Sequence, residues 1–293
     1  MLSATFSNDY LRQLELLKIR ARRAYLGTRQ GSHKSLKRGY GMEFSDYRHY
    51  ELGDDPRYID WSAYARNEKL FVKVFEEEQD LSVLLIIDAS LSMLNPKDDR
   101  KLEMARDIAY SLAYIALLQQ DRVSVAIPGI FYSPYYVGGG AIHHLSNDIS
   151  RLKLETGNDI VSGVQRAAAK LHFPGVAVLI SDFLMPFEEI EKACNILRAK
   201  NLDITAIQVL GENDLRPFTN EKTIKAVDSE NGEEIEISLN QNARVEYDAL
   251  LKEHNNNICQ FFNEARISYA LAEVPLGVRN FVINNLTKTA LLQ

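Results

Sequence analysis

No run of apolar residues in this chain approaches the roughly 20 needed to cross a bilayer. The opening residues MLSATFSNDYLRQ lack the charged-then-apolar order of a secretory signal. These two absences set a cytoplasmic expectation. Cysteine is scarce: only Cys194 and Cys259 occur, each inside a helical pattern and without CxxC spacing, and both are read as reduced core thiols. The six histidines (His33, His49, His143, His144, His172 and His254) show no ligand spacing, and His143-His144 reads as a loop pair rather than a general base. The G-x-S-x-G elbow of a serine hydrolase is missing. Gly138-Gly139-Gly140 has no lysine and Ser/Thr after it, so it is no phosphate-binding loop. An excess of positive charge is missing too. A net charge of −6 gives no global reason to expect nucleic acid or an anionic membrane as partner.

What is present is ordinary in bulk. With 293 residues, 46% hydrophobic and 25% charged, the chain is long enough for one large or two modest globular domains. The organising stretch is Leu81–Met93, LSVLLIIDASLSM. Val83 to Ile87 read as a strand buried on both faces, ending abruptly at Asp88 with Ser90 and Ser92 behind it. A carboxylate and two hydroxyls at the end of a buried strand are hard oxygen ligands, at the place where open α/β sheets bind theirs.

In chain order, residues 7–25 have helical spacing behind a Ser7 or Asn8 cap. From there to Arg38 the charge is lopsidedly basic. Arg22, Arg23, Arg29, Lys34, Lys37 and Arg38 read either as a partner-docking arm or as a solvated face. Residues 39–66 mix acidic, cationic and aromatic residues without helical or strand period. Asp46, Asp54, Asp55 and Asp60 lie among Arg48, Arg57 and Arg66, which favours a salt-bridged structural knot over a catalytic carboxylate cluster. Residues 69–77 alternate as a strand feeding the 81–88 strand. A helix over 99–120, a strand over 122–128 and an aromatic edge strand over 131–137 holding Pro134 follow. Next come helices near 145–153 and from Gly157-Asn158-Asp159 to His172, a buried strand over 176–180 ending in Ser181-Asp182, a helix over 187–200 and a strand over 203–210. A hairpin over 224–238, a helix over 244–265, a last strand and a helical segment over 277–291 complete the chain. Strand–helix alternation with short loops predicts a doubly wound, mostly parallel α/β sheet. The expected division is a helix plus mixed segment over 1–80 and the sheet domain over 81–293.

Asp88, Ser90, Ser92, Asn158 and Asp182 stand on three loops that such a sheet brings to one edge. The set is oxygen-only, suiting Mg²⁺ or Mn²⁺ and not zinc. The D-x-S-x-S motif at 88–92, the helix-opening loop at 157–159 and Ser181-Asp182 together resemble the metal-ion-dependent adhesion site of the von Willebrand factor A domain. That family usually carries threonine where Asn158 stands, a departure expected to weaken metal binding. The stretch GTRQGSHKSLKRGYGMEFSDYRHYELGDDPRYIDWSAYARNEKLFVKVFEEE resembles the signature of the bacterial domain-of-unknown-function-58 family. Its members join such a segment to a von Willebrand A-like domain, and the resemblance implies association with a MoxR-type AAA+ ATPase. The function it implies is a metal-assisted adaptor or co-chaperone module, with no catalytic residue. The alternative is a Mg²⁺-dependent phosphoesterase or nuclease using Asp88 and Asp182. Ser90 stands where a haloacid-dehalogenase-type phosphatase needs a second Asp, which counts against that alternative.

Overall fold

The computed structural model describes residues 6–21, 42–77, 81–151, 159–171, 175–217, 223–227, 234–238 and 241–293. The basic residues Arg22, Arg23, Arg29, Lys34, Lys37 and Arg38, and Asn158, lie outside them. Two compact units result: Ala24–Asp80, and Met1–Arg23 together with Leu81–Gln293.

The first helix, α1 (Asn8–Glu15), is capped by Ser7, whose hydroxyl accepts from Tyr10 N. It ends well short of residue 25. After it, Ile19 bridges Leu292, and the Lys18 and Gln293 backbones exchange two hydrogen bonds. A helix could not have made that pairing. Tyr10 and Leu14 are fully buried, and the Tyr10 hydroxyl meets Ser111 Oγ at 2.9 Å.

The smaller unit holds β1 (Met42–His49), α2 (Trp61–Asn67) and β2 (Phe71–Glu77). The expected strand over 69–77 is β2, and it pairs with β1, the two forming a two-stranded antiparallel sheet of their own. Arg48 grips Asp54 through two 2.6 Å hydrogen bonds, and Arg57 pairs with Asp55. Asp60 caps α2, accepting from Ser62 N and Ala63 N, and its other oxygen accepts from the Tyr47 hydroxyl. These three carboxylates are thus engaged in ion pairs and caps, the arrangement of a knot.

In the larger unit follow β3 (Ser82–Ile87), α3 (Leu91–Leu94), α4 (Lys101–Leu118), β4 (Arg122–Ile127), β5 (Phe131–Tyr132), β6 (Tyr136–Val137), α5 (Ile142–Arg151) and α6 (Ile160–Ala169). Then come β7 (Gly175–Ser181), α7 (Phe187–Ala199), β8 (Asp203–Leu210), α8 (Glu212–Leu215), β9 (Thr223–Val227), β10 (Glu234–Ser238), α9 (Gln241–Glu264) and β11 (Ser268–Glu273). Short helical turns over 278–288 follow. β9 and β10 pair as the expected hairpin. The main sheet runs β11-β8-β7-β3-β4-β5, with β6 also on β4; its first five strands are parallel and the two short ones antiparallel. The expected aromatic strand is thus two fragments either side of Pro134, whose missing N–H cannot join a ladder. His143 and His144 sit on α5, exposed, rather than in a loop.

Alternation along β3 explains the layers. Val83, Leu85 and Ile87 pack on one side with α4 and the C-terminal turns, Leu84 and Ile86 on the other with α6, α7 and α9. This is a doubly wound α/β sheet with helices on both faces. Both cysteines are free, Cys194 buried and Cys259 half-buried. Among the described residues no helix is long and apolar enough to cross a membrane.

Candidate functional site

The register of β3 on β7 builds the site. Ile87 pairs with Ile180, so the two strands end level and Asp88 arrives beside Ser181. Asp88 N donates to Ile180 O at 2.9 Å, and Ser181 Oγ donates to Asp88 Oδ2 at 2.6 Å. The chain then turns into α3. Ser90 N donates to Asp88 Oδ1 (2.9 Å), Ser90 Oγ to Asp88 Oδ2 (3.2 Å), and the Ser90 and Ser92 hydroxyls meet at 3.0 Å. Asp88 is 2% exposed. Burial pushes its carboxyl up to about 6, and the charge of Asp182 adds to the rise despite the hydroxyls and amide that favour the ionised form. The structure therefore brings Asp88, Ser90 and Ser92 together. Asp159, at the mouth of the second loop, is spent on capping α6, accepting from Val161 N and Ser162 N.

Asp182 has a different environment. Its Oδ1 accepts from Leu184 N at 3.1 Å and its Oδ2 from Lys101 Nζ at 3.1 Å. Between them Phe183 adopts the left-handed region (φ 54°). For a bulky residue that costs on the order of 1–3 kcal/mol, and the fully buried ring, edge-on to Phe262 at 5.3 Å, is what holds it there. Lys101 is 2% exposed and also pairs with Asp214 at 3.0 Å. Burial alone would depress its ammonium, but Asp182 and Asp214 outweigh burial and hold it above the ordinary lysine value. Asp214 is fixed in turn by Gly211 N at 2.9 Å, and the Tyr247 hydroxyl on α9 donates to its carbonyl. Gly211 has no alternative: a Cβ there would sit 2.4 Å from Asp99 Cγ. Gln208 Nε2 donates to the carbonyl of Asp182 and to Asn255 Oδ1. Sequence reasoning missed Lys101, Asp214 and Gln208. In the sequence Lys101 is one more charge in KDDRK, and nothing local marks it as buried.

Among the described residues no group of three or more His, Cys, Asp or Glu side chains could hold a metal ion. A cation here would rest on Asp88 and hydroxyl oxygens. The donor chemistry fits a hard divalent ion: a buried carboxylate without a cationic partner among the described residues, flanked by serine hydroxyls and free of ring nitrogen or thiolate.

A family model described as "Protein of unknown function DUF58" matches residues 46–257. The chain belongs to this family. Relatives of this DUF58 chain include an uncharacterized protein of Mycobacterium bovis and one of Mycobacterium tuberculosis. Each is 23% identical over 255 residues, covering 84% of this chain and 79% of the relative. Among solved structures, the conserved hypothetical protein BatB from Bacteroides thetaiotaomicron aligns with TM-score 0.44 and 16% identity, over 71% of this chain and 98% of that one. An aerotolerance-related membrane protein from Bacteroides fragilis aligns with TM-score 0.38 and 16% identity, over 66% and 91%. The strand order and two-sided helical cover described above give this DUF58 protein a von Willebrand factor A-like fold.

Proposed function

We propose that the chain is a protein-interaction module whose edge at Asp88 is completed by Mg²⁺ or Mn²⁺ and docks an acidic side chain of a partner. We take that partner to be a MoxR-type AAA+ ATPase, as the resemblance implies, with the module as adaptor or co-chaperone. The observation that carries the reading is the buried Asp88 carboxylate with the Ser90 and Ser181 hydroxyls on it and the Ser92 hydroxyl on Ser90, where two parallel strands end level. A bound ion supplies a Lewis-acidic position that an incoming carboxylate can occupy. Asp88 would hold the ion with Ser90 and Ser92. Ser181 orients Asp88, and Lys101 keeps Asp182 charge-compensated and turned inward. The hydrolase alternative asks Asp182 to act on substrate. That carboxylate is fully buried, with both oxygens engaged, so it is poorly placed for such a role.

Mg²⁺ at ten times its Kd should stabilise the protein by about 1.4 kcal/mol, a rise of a few degrees in Tm. Ser90→Ala and Ser92→Ala, which remove hydroxyls without unpairing a buried charge, should abolish the rise. An unchanged Tm with tens of millimolar Mg²⁺ or Mn²⁺ sinks the metal. The partner is tested by affinity capture from the native host with and without EDTA; failure to recover any AAA+ ATPase in either condition overturns the adaptor role.

A further inference from the structure

A second site lies at the far end of α6. There a cavity of about 500 Å³ opens between β4, the β5 edge and the last turn of α6. Its wall is mainly apolar, formed by Leu84, Ala126, Tyr132, Pro134, Ala167 and Leu171 among others. Small-molecule pockets commonly span roughly 300–1,000 Å³. The helix is held near β4 by Gly163, where a Cβ would sit 2.3 Å from Pro128. Further along, Pro134 stops the edge strand, and the space beneath the helix is left unfilled. Two features distinguish it from a packing defect. Ser124 lines the wall, and its buried Oγ makes no hydrogen bond; buried hydroxyls without partners are uncommon in native cores. Two cations converge on the ring of the lining residue Tyr132: Lys170, itself part of the lining, has its Nζ 5.3 Å from the centroid, and Arg166, one turn earlier on α6, has its Cζ at 5.0 Å. Neither forms an ion pair with an acidic residue among the described residues.

We propose that this cavity binds a small amphiphilic carboxylate with a compact aromatic or branched apolar body. The body lies against Tyr132, Pro134 and Leu171, over the buried floor of Leu84, Ala126 and Ala167, while the carboxylate stays at the mouth and accepts from Arg166 and Lys170. A neutral hydrocarbon would gain nothing from either cation, and a cationic amphiphile would be repelled by them. Charge at the mouth therefore selects the ligand class. The lining includes none of Asp88, Ser90, Ser92 or Ser181, and its one β3 residue, Leu84, stands four positions before Asp88, about 13 Å along the strand.

The test uses 2-naphthoate and its neutral analogue 2-naphthylmethanol, titrated into the full chain by calorimetry, with and without EDTA. Naphthoate should bind more tightly than the alcohol, unaffected by EDTA. Arg166→Gln/Lys170→Gln, on exposed positions, should cut naphthoate affinity by about tenfold or more, the loss expected when charge-assisted hydrogen bonds go, and leave the alcohol's nearly unchanged. Amide shifts at Ser124, Tyr132 and Lys170 on adding naphthoate would place it in the cavity. No binding of naphthoate up to about 1 mM, a Kd worth only some 4 kcal/mol, overturns the proposal. Equal affinity for acid and alcohol overturns it too, as does naphthoate binding that survives the double substitution. Self-association abolished by that substitution would assign the groove to a second copy of the chain and also overturn it.

Discussion

In the smaller unit, Arg57 and Asp55 pair across two residues in open solvent, with side chains 81% and 35% exposed. In the larger unit, Lys101 meets Asp182 across 81 positions in the chain, with side chains 2% and 0% exposed. The chemistry is the same, but the energetic consequences are opposite. In solvent, the gain from attraction is nearly cancelled by side-chain entropy and screening. In the interior, three charges are committed together, and removing one leaves the others without compensation. The exposed pair decorates a turn, while the buried one decides where the Asp182 loop and the segment after β8 must sit.

The most direct way to break this contrast is Lys101→Met. It should cost about 3–5 kcal/mol in urea unfolding, because Asp182 is left buried and charged. Adding Asp182→Asn should recover part of that cost; no recovery would mean the lysine matters by packing rather than charge. Asp88 supplies the next effect. Its carboxyl is raised from 3.8 to about 6, so the folded state binds the proton more tightly than the unfolded chain. Without divalent metal, that contribution is fully present below about pH 4 and disappears as pH rises through about 6, a change of about 3 kcal/mol. Asp88→Asn should flatten this part of the stability profile, measured in EDTA; an unchanged slope would assign the pH dependence elsewhere. The smallest effect is expected from Arg57→Ala, which should leave the unfolding midpoint within measurement scatter. A clear loss there would give the exposed pairs a structural weight that the contrast denies them.

The same contrast separates what was legible in the sequence from what was not. β3, β7 and β8 are buried on both faces and read as mainly apolar runs, with the polar Gln208 among them hydrogen-bonded; the sequence pattern and the structure agree on Asp203–Leu210. The cluster of Asp88, Ser90 and Ser92 was legible because its parts are local and its place at a strand end follows from the fold class. β1 and α2 escaped because their segment mixes aromatic and charged residues with no period, and its order comes from Arg48–Asp54 and the Asp60 cap. Pairings across great sequence distance carry no local signal. Lys101 with Asp182 and Asp214 is one; the lodging of Ile19 against Leu292 is another.

That last contact bears on when the protein can finish folding. α1 can dock on α4 once residue 118 is available, with Tyr10 reaching Ser111. Among the described residues, the backbone of its continuation at Lys18, Ile19 and Arg20 hydrogen-bonds to Leu291, Gln293 and the Gln119 side chain. On the ribosome the segment over 18–20 must therefore wait, incompletely paired, until residues 291–293 emerge, at about 5–20 residues per second. Closing so long a loop adds little to its entropic cost per added residue. The delay is set by synthesis, and through that interval Ile19 stays without its partner Leu292 while α1 is already docked.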